Sequence, residues 1–274
     1  ADVLRLWIAS VDSRNEMSVS DEILKRSADG YRRIRNTAKF LLGNLAGFDP
    51  KQHLLAPEKC LLLDQWAMAK TRQLHERITD AYNQYDFARV VSSLQNFCTQ
   101  EMGSLYLDVT KDRLYTMQLD SHGRRSAQSA MYAIVQVLVR ALAPITSFTA
   151  EEIWQLIPGE KTQSVFFANN AELDKLLPIN GQYMQSDNAM MQQLLAMREA
   201  VSKVLEPMRS NGEIGAALQA EVKVYANEVD FSAYPNVEKE LRFLFITSEF
   251  DILPLAEADK NAVAVDAGPF KVLA

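Results

Sequence analysis

The sequence has little cysteine and no long hydrophobic run, and both absences narrow what the protein can be. Its 274 residues include two cysteines, Cys60 and Cys98, which provide neither a disulfide framework nor a CxxC metal pair. No apolar run approaches the ~18 residues that a membrane span needs, and the N-terminus lacks the basic start and long apolar stretch of a signal peptide. We therefore expect a cytoplasmic protein with no membrane segment and no Cys/His metal site.

Motifs for nucleotide binding and for catalysis are also missing from these residues. No GxGxxG occurs, and GEKT at 159–162 lacks both the upstream glycine and the Gly-Lys pair of a P-loop. The three histidines have no second histidine or cysteine at metal-ligand spacing. Two carboxylate pairs, Asp108 with Asp112 and Glu151 with Glu152, have no nucleophile beside them. We assign no catalytic residue and no metal ligand.

The chain has no net positive charge, and its charged residues are unevenly distributed along the sequence. The sequence has 29 Lys+Arg and 35 Asp+Glu, for a net charge of -6. Residues 1–157 contain 19 Lys or Arg and 18 Asp or Glu, whereas residues 158–274 contain 10 and 17. A strongly basic nucleic-acid binder is excluded, so any polyanion would have to bind a local basic face in the first part of the chain.

Hydrophobic periodicity predicts a mainly α protein. The predicted long helices lie at 18–47, 57–83, 86–109 and 121–143, and a short one runs from Thr149 to Pro158. Ser20 is expected to cap the first helix, and Gly47 to end it in a left-handed conformation. Thr149 and Glu152 match the S/T-x-x-E capping box. Together these helices predict an antiparallel bundle.

The pattern changes in the second part of the chain. Residues 158–186 are weakly patterned and predict a linker with one helical turn at most. A helix is expected at 187–209, followed by an alternating strand at 219–226 and short β-rich runs at 241–247 and 263–265. The predicted organisation is a helical bundle at 1–157, a linker at 158–186 and a small α+β unit at 187–274.

The first long helix contains the most informative group of charges. Between Lys25 and Lys39 there are six cations and one acidic residue, and most of the cations lie opposite an apolar stripe centred on Ile34. Guanidinium groups bind phosphates and stack on exposed bases, which suits single-stranded RNA loops. The alternative is a solvated helix face whose arginines pair with local carboxylates. The candidate RNA contacts here are Arg32, Arg33, Arg35, Asn36 and Lys39.

A second cationic group is predicted where one bundle helix ends and the next begins. Lys111 and Arg113 would complement the dipole at a helix C-terminus whatever the function of the protein. Arg124 and Arg125 lie in the first turn of the following helix, where cations do not complement the dipole, and are better candidates for binding an external anion. The candidate contacts of this group are Lys111, Arg113, Tyr115, Arg124 and Arg125.

Five segments of the first 157 residues form a distinctive set. They are ADVLRLW at 1–7, YRRIRNTAKFLLGNL at 31–45, LYLDVTKDRLYT at 105–116, RRSAQSAMY at 124–132 and APITSFTAEEIW at 143–154. This set resembles the isoleucyl-tRNA synthetases, a family of class I aminoacyl-tRNA synthetases. RRIRNT and KDRLY favour isoleucine over valine, leucine or methionine, and a weaker resemblance continues into 211–226.

The resemblance implies a helical anticodon-binding domain that contacts the stem and loop of the tRNA for isoleucine. It also implies a parent enzyme that uses ATP and magnesium to attach isoleucine to this tRNA. The HIGH and KMSKS motifs of the ATP site, the editing domain and the Cys-rich zinc-binding tail of many members do not occur here. We therefore expect a monomeric fragment without a cofactor of its own, partnered by the catalytic and editing domains of a longer chain.

Two points remain open at this level. A helical protein-interaction module whose basic face meets an acidic partner is the alternative to RNA binding. In addition, Gly103 and Leu105 stand where the family would be expected to have bulkier or aromatic residues.

Overall fold

The chain forms two compact units, residues 1–186 and 187–274. The computed structural model describes residues 1–12, 17–177, 189–227, 229, 231, 237–265 and 268–274. The first unit is helical in its described part, and the second combines helices with a four-stranded sheet. The prediction of a helical bundle followed by a small α+β unit is confirmed.

The first unit is built around one buried helix, α7, which packs against α4, α2 and α8. A π-helical segment, Phe97–Tyr106, joins α5 to α6. Short 3-10 turns occur at Pro57–Lys59, Val165–Phe167 and Asn170–Glu172. The helices of this unit are α1 (Asp2–Ser10), α2 (Asp21–Asn44), α3 (Pro50–His53), α4 (Leu62–Asn83), α5 (Phe87–Asn96), α6 (Leu107–Thr116), α7 (His122–Leu142), α8 (Ser147–Leu156) and α9 (Leu173–Leu176).

Both ends of α2 have the predicted local structure. The hydroxyl of Ser20 accepts a hydrogen bond from the Ile23 backbone amide at 3.3 Å, as an N-cap should. Just beyond the helix, Gly47 has φ of 73°, the left-handed conformation that favours glycine. The apolar stripe faces the core, since Ile34 and Leu41 are 2% and 0% exposed.

The start of α8 differs from the predicted capping box. The helix begins at Ser147, so Thr149 lies inside its first turn instead of capping it. The carboxylate of Asp2 on α1 accepts hydrogen bonds from the Thr149 amide at 2.7 Å and from its hydroxyl at 2.5 Å. Glu152 points to another partner, Arg35. The capping box was wrong because a distant helix, α1, supplies the acceptor that the local motif was expected to provide.

The helix predicted at 86–109 is longer than expected and is not uniformly α-helical. It continues as α5, the π segment and α6 as far as Thr116. Within the π segment a Cβ on Gly103 would lie 3.0 Å from the carbonyl oxygen of Cys98, so a larger residue would require a small shift of the backbone there. Leu105 is buried in the core.

The region after α8 lies against the helices of the first unit. The indole of Trp154 donates to the Thr162 carbonyl at 2.9 Å, and Arg140 on α7 pairs with Glu172 at 3.0 Å. Asp174 on α9 accepts from Arg72 at 3.0 Å. Residues 158–177 are thus tied to α4, α7 and α8 by side-chain contacts. The rest of the predicted linker lies outside the described residues.

The second unit is a small sheet with helices beside it. Strand β1 is parallel to β2 and antiparallel to β4, which pairs with β3, giving the order β2-β1-β4-β3. The strands predicted at 219–226 and 263–265 are confirmed. Its elements are α10 (Ala189–Ser210), β1 (Glu221–Ala226), α11 (Val237–Phe245), β2 (Glu249–Pro254), β3 (Val263–Val265) and β4 (Phe270–Leu273).

The β-rich run predicted at 241–247 is wrong, because α11 covers most of it. Its apolar residues Val237, Leu241 and Leu244 are buried at intervals of four and three, which is the spacing of a helix face and not of a strand. A positive φ of 55° at Ile246 accompanies the end of the helix. The short apolar run alone did not distinguish the two structures.

Candidate nucleic-acid interface

The outward face of α2 displays the first predicted group of cations. Arg32, Arg33, Asn36 and Lys39 are all exposed, while the opposite stripe of the helix is buried. Within the described residues, Arg33 and Lys39 have no ion pair or hydrogen-bond partner for their side chains. This face therefore presents cations to solvent along one side of the bundle.

Other cations of α2 pair with acidic residues of the same helix. Arg32 lies 2.7 Å from Asp29, and Arg26 lies 2.5 Å from Glu22. Both pairs are exposed, and such pairs contribute little to stability, typically ~0 to 1 kcal/mol. A phosphate could replace these carboxylates at small energetic cost. The pairing is therefore compatible both with RNA binding and with a solvated helix face.

Arg35 has a different environment from its neighbours. Its guanidinium donates to both carboxylate oxygens of Glu152 on α8, at 2.8 and 2.7 Å. Hydrogen bonding to Glu152 raises the pKa of Arg35, and the same contact lowers the pKa of Glu152. Nearby, the hydroxyls of Tyr31 and Thr149 lie 2.8 Å apart. Arg35 thus joins α2 to α8, with its forked donor face occupied by protein.

The second predicted group lies where α6 ends and α7 begins. Lys111 is exposed and lies 3.3 Å from Asp108, and Tyr115 is 72% exposed. Arg124 is half-buried and donates to the carbonyl of Leu114, which fixes the start of α7 against the end of α6. Lys111, Tyr115 and Arg124 therefore belong to one end of the bundle.

Arg125 is more enclosed than Arg124. Its side chain is 13% exposed and donates to Asp120 at 2.6 Å and to Gln128 at 2.8 Å. Gln128 in turn donates to the carbonyl of Asn44 at the end of α2, at 2.9 Å. This chain of contacts places the first turns of α7 beside the C-terminal end of α2.

Arg113 does not reach the surface. It is 1% exposed, and its guanidinium lies 2.6 Å from the carboxylate of Asp64 on α4, which is fully buried. A side chain without exposed surface has no group to present to RNA in this conformation. The sequence pattern gave no sign of this ion pair, because the partner lies 49 residues earlier.

The predicted contacts form two groups and not one continuous site. Tyr31 and Arg35 meet α8, whereas Asn44 meets α7 beside Arg125. Between Arg32 and Asn44 the helix rises about 18 Å, at 1.5 Å per residue. Lys39 lies between these two positions and is the member of the α2 face nearer to the second group.

One cation near the second group was missed by the sequence analysis. Lys59 lies in the 3-10 turn before α4 and is exposed, and its carbonyl oxygen lies 2.8 Å from Nε2 of His122 at the start of α7. The approach depends on contacts over 63 residues, so no local pattern could have indicated it.

The described residues offer little for covalent or metal chemistry. Burial raises the pKa of both Cys60 and Cys98 to about 12, so both are neutral thiols near pH 7 and poor nucleophiles. Among the described residues, no group of three or more His, Cys, Asp or Glu side chains could hold a metal ion. No described helix is both long and apolar enough to cross a bilayer.

Comparison with known proteins gives closely similar relatives. The chain is 54% identical over 269 residues to an isoleucine–tRNA ligase of Xanthomonas campestris pv. campestris (strain 8004), covering 98% of this chain and 28% of that protein. The same coverage is found for the isoleucine–tRNA ligases of Xanthomonas axonopodis pv. citri (strain 306), at 54% identity, and Stenotrophomonas maltophilia (strain K279a), at 53%. The chain thus spans less than a third of the length of these relatives.

The family assignment comes from a separate comparison. Residues 64–224 match the family described as the anticodon-binding domain of tRNA ligase. The match includes α6 and the start of α7, with Lys111, Tyr115 and Arg124, whereas α2 lies before it and is covered by the similarity to the ligases. On this evidence the chain belongs to the anticodon-binding domain family of tRNA ligases.

Proposed function

We propose that the chain binds the anticodon stem and loop of the tRNA for isoleucine, as the RNA-binding part of an isoleucine–tRNA ligase. The observation that carries this proposal is the family membership, together with the 54% identity to isoleucine–tRNA ligases over 98% of the chain. The exposed cations of α2, together with exposed Lys111 and half-buried Arg124 at the α6–α7 junction, supply the charge that such binding needs.

The two groups would have different roles in binding. Arg32 and Lys39 are seven residues apart and lie on one side of α2, and Arg33 lies on an adjacent side about 100° away. These exposed cations suit phosphates of the RNA backbone, because charge neutralisation needs no base identity. Tyr115 is an exposed aromatic ring, and unstacked loop bases bind by stacking on such rings. Lys111 and Arg124 lie near it and would hold the adjacent phosphates.

Three of the predicted arginines are proposed to act within the protein and not on RNA: Arg35, Arg113 and Arg125. Each is engaged by a carboxylate of the protein, at 2.7, 2.6 and 2.6 Å respectively. We assign Arg113 to the bundle interior, and Arg35 and Arg125 to the support of neighbouring contacts. Asn36 remains a candidate for reading a base edge, since its exposed amide offers both donors and an acceptor.

The activity of the whole protein is part of the proposal. The parent chain would attach isoleucine to its tRNA in the cytoplasm as a monomer, using ATP and magnesium bound by its catalytic domain, with zinc where a C-terminal tail is present. An editing domain would complete it. The fragment's contribution is to bind and orient the RNA, and spreading the binding energy over several domains makes each one weak alone.

Competition between RNA and an acidic protein tests this proposal against the alternative, a protein-interaction module. The chain and an Arg33→Ala, Lys39→Ala variant would be titrated with the tRNA for isoleucine and with a highly acidic protein of similar net charge. A charge-matched control, Lys223→Ala with Lys260→Ala, changes exposed cations of the second unit. We expect the original chain to bind tRNA more tightly than the acidic protein. The α2 variant should bind tRNA more weakly, and the control variant should bind it as the original chain does. Equal or tighter binding of the acidic protein would favour the alternative.

A further inference from the structure

A buried polar cluster surrounds Asp64 on α4. Its Oδ1 accepts hydrogen bonds from the Tyr106 hydroxyl at 2.7 Å and from Arg113 at 2.6 Å, and its Oδ2 accepts from the Ser126 hydroxyl. The hydroxyl of Ser126 also accepts from the Leu61 amide at 2.8 Å. One carboxylate on α4 therefore holds the π segment, α6 and α7 together.

Stability alone does not account for a buried charged cluster of this kind. Removing a charged pair from water is costly, and well-packed apolar side chains of similar volume often stabilise a core equally well or better. The benefit of such a cluster has to be sought in geometry, because a guanidinium and a carboxylate fix the direction of approach between helices more narrowly than apolar contacts do. Burial of Tyr106 near Asp64 also raises its pKa well above the usual range, so its hydroxyl stays a donor.

Two of the helices held by Asp64, α6 and α7, also present proposed RNA contacts. Lys111 and Tyr115 are each two residues from Arg113, about 200° around α6 at 100° per residue, so holding Arg113 inward turns both outward. Likewise Ser126 is two residues from Arg124 on α7. Arg124 then donates to the carbonyl of Leu114, the residue next to Arg113.

The start of α7 packs closely against the end of α6. A Cβ on Gly123, at the start of α7, would lie 2.8 Å from the sulfur of Met117 and 3.5 Å from Cδ of Arg113. A small shift of α6 relative to α7 would therefore displace the side chains at their ends.

The geometry points to Asp64 and Arg113 as positioning residues for RNA binding, which set the placement of Lys111, Tyr115 and Arg124 without touching RNA themselves. This inference rests on the proposed function and goes beyond it, because it assigns the positioning of the RNA contacts to two residues that are themselves buried. It also gives Arg113 a role that differs from the direct contact expected from the sequence.

The test replaces the cluster with apolar side chains of similar size in the full chain. The variant is Asp64→Leu, Tyr106→Phe and Arg113→Met, which keeps Ser126 as the acceptor for Leu61. We expect its thermal unfolding midpoint to stay within a few degrees of the original, while the Kd for the tRNA of isoleucine rises about tenfold. The matched control is Arg140→Met, which removes another largely buried arginine, near the far end of α7, and should leave the Kd unchanged.

A double-mutant cycle separates positioning from stability. Lys111→Ala with Arg124→Ala is measured in the original chain and in the apolar variant. If the cluster acts through these residues, their loss should weaken tRNA binding about tenfold in the original chain and less than about threefold in the apolar variant. Equal effects in both backgrounds, or unchanged tRNA binding by a folded apolar variant, would overturn the inference.

Two remaining outcomes are also informative. If the apolar variant does not fold, the same cycle is run with Arg113→Lys. This variant keeps the positive charge but loses the forked pair of guanidinium donors. A tRNA affinity equal to that of the original chain would then overturn the inference. If the original chain binds no tRNA, the proposed function fails and this inference fails with it. Binding by the original chain with an additive cycle would reject the inference alone.

Discussion

Arg35 on α2 and Glu152 on α8 form a bidentate ion pair, with nitrogen to oxygen distances of 2.8 and 2.7 Å, across 117 residues of sequence. The helical wheel placed Arg35 correctly on the polar side of its helix. Yet its donors meet a carboxylate of the protein, whereas those of its neighbour Arg33 meet solvent. The same cationic patch therefore contains residues that hold the bundle and residues available to a ligand.

This difference predicts separate effects of two arginine substitutions. Arg35→Ala should lower the free energy of unfolding by up to ~1 kcal/mol, since it removes a bidentate but half-exposed pair. Arg33→Ala should change it by less than ~0.5 kcal/mol, as an ordinary surface substitution. Urea unfolding of both variants measures this. Equal stabilities would show that the ion pair contributes nothing measurable.

The ion pair also predicts a pH dependence. The pKa of Glu152 is lowered in the folded chain, so its stabilisation is present above the unfolded pKa of about 4.3 and is lost as the pH falls through the lower folded value. The difference in unfolding free energy between the original chain and Glu152→Gln should thus be largest near neutral pH and disappear in acid. Glu58→Gln, at an exposed site, serves as the control. A difference that persists in strong acid would contradict this account.

Burial of Ile34 predicts a large loss of stability without a direct effect on RNA. Ile34 is 2% exposed on the face of α2 opposite the cations, so Ile34→Ala should cost ~2 to 5 kcal/mol. Denaturant unfolding gives the value. The tRNA affinity, measured where the variant is still folded, should match that of the original chain, and a loss there would indicate that the stripe and the cationic face are not independent.

Tyr115 is expected to act by stacking. Tyr115→Ala should weaken binding of the tRNA by ~1 to 3 kcal/mol and reduce discrimination between anticodon loops, whereas Tyr115→Phe should retain most of the affinity. The control is Tyr85→Ala, which removes another tyrosine of similar exposure, at 80%, between α4 and α5. Unchanged binding by Tyr115→Ala would remove this residue from the interface.

Catalysis is expected to require the rest of the parent protein. The groups that stabilise ATP phosphates during activation have no counterpart among the motifs of this sequence. Pure chain should give no isoleucine-dependent pyrophosphate exchange, and adding the tRNA should not change this. Measurable exchange by the chain alone would show that an unrecognised catalytic site exists.

Local patterns predicted the parts of the fold that local interactions determine. The cap at Ser20, the left-handed Gly47 and the apolar stripe through Ile34 were confirmed, because each depends on residues within a few turns. The box at Thr149 and the strand at 241–247 were wrong. In the first case a carboxylate 147 residues away replaced the local cap, and in the second the same apolar residues fitted a helix face.

The candidate site shows the same limit more clearly. Sequence alone selected the polar side of α2 and the charged end of α6, and both patterns were visible in spacing and charge. It did not separate exposed from buried cations, since the buried partner of Arg113 is Asp64 on another helix, whereas Lys111 pairs with Asp108 on its own helix. The direct contacts with RNA remain predictions, and so does the domain boundary between residues 157 and 158.

The most direct test of the central claim is a titration of the chain with the tRNA for isoleucine at several salt concentrations. A second tRNA that differs only in its anticodon provides the comparison. We predict a Kd of ~1 µM or weaker, with log Kd rising linearly with log salt and tighter binding of the isoleucine anticodon. Binding that is independent of salt, or equal for both anticodons and for an acidic protein, would contradict the account.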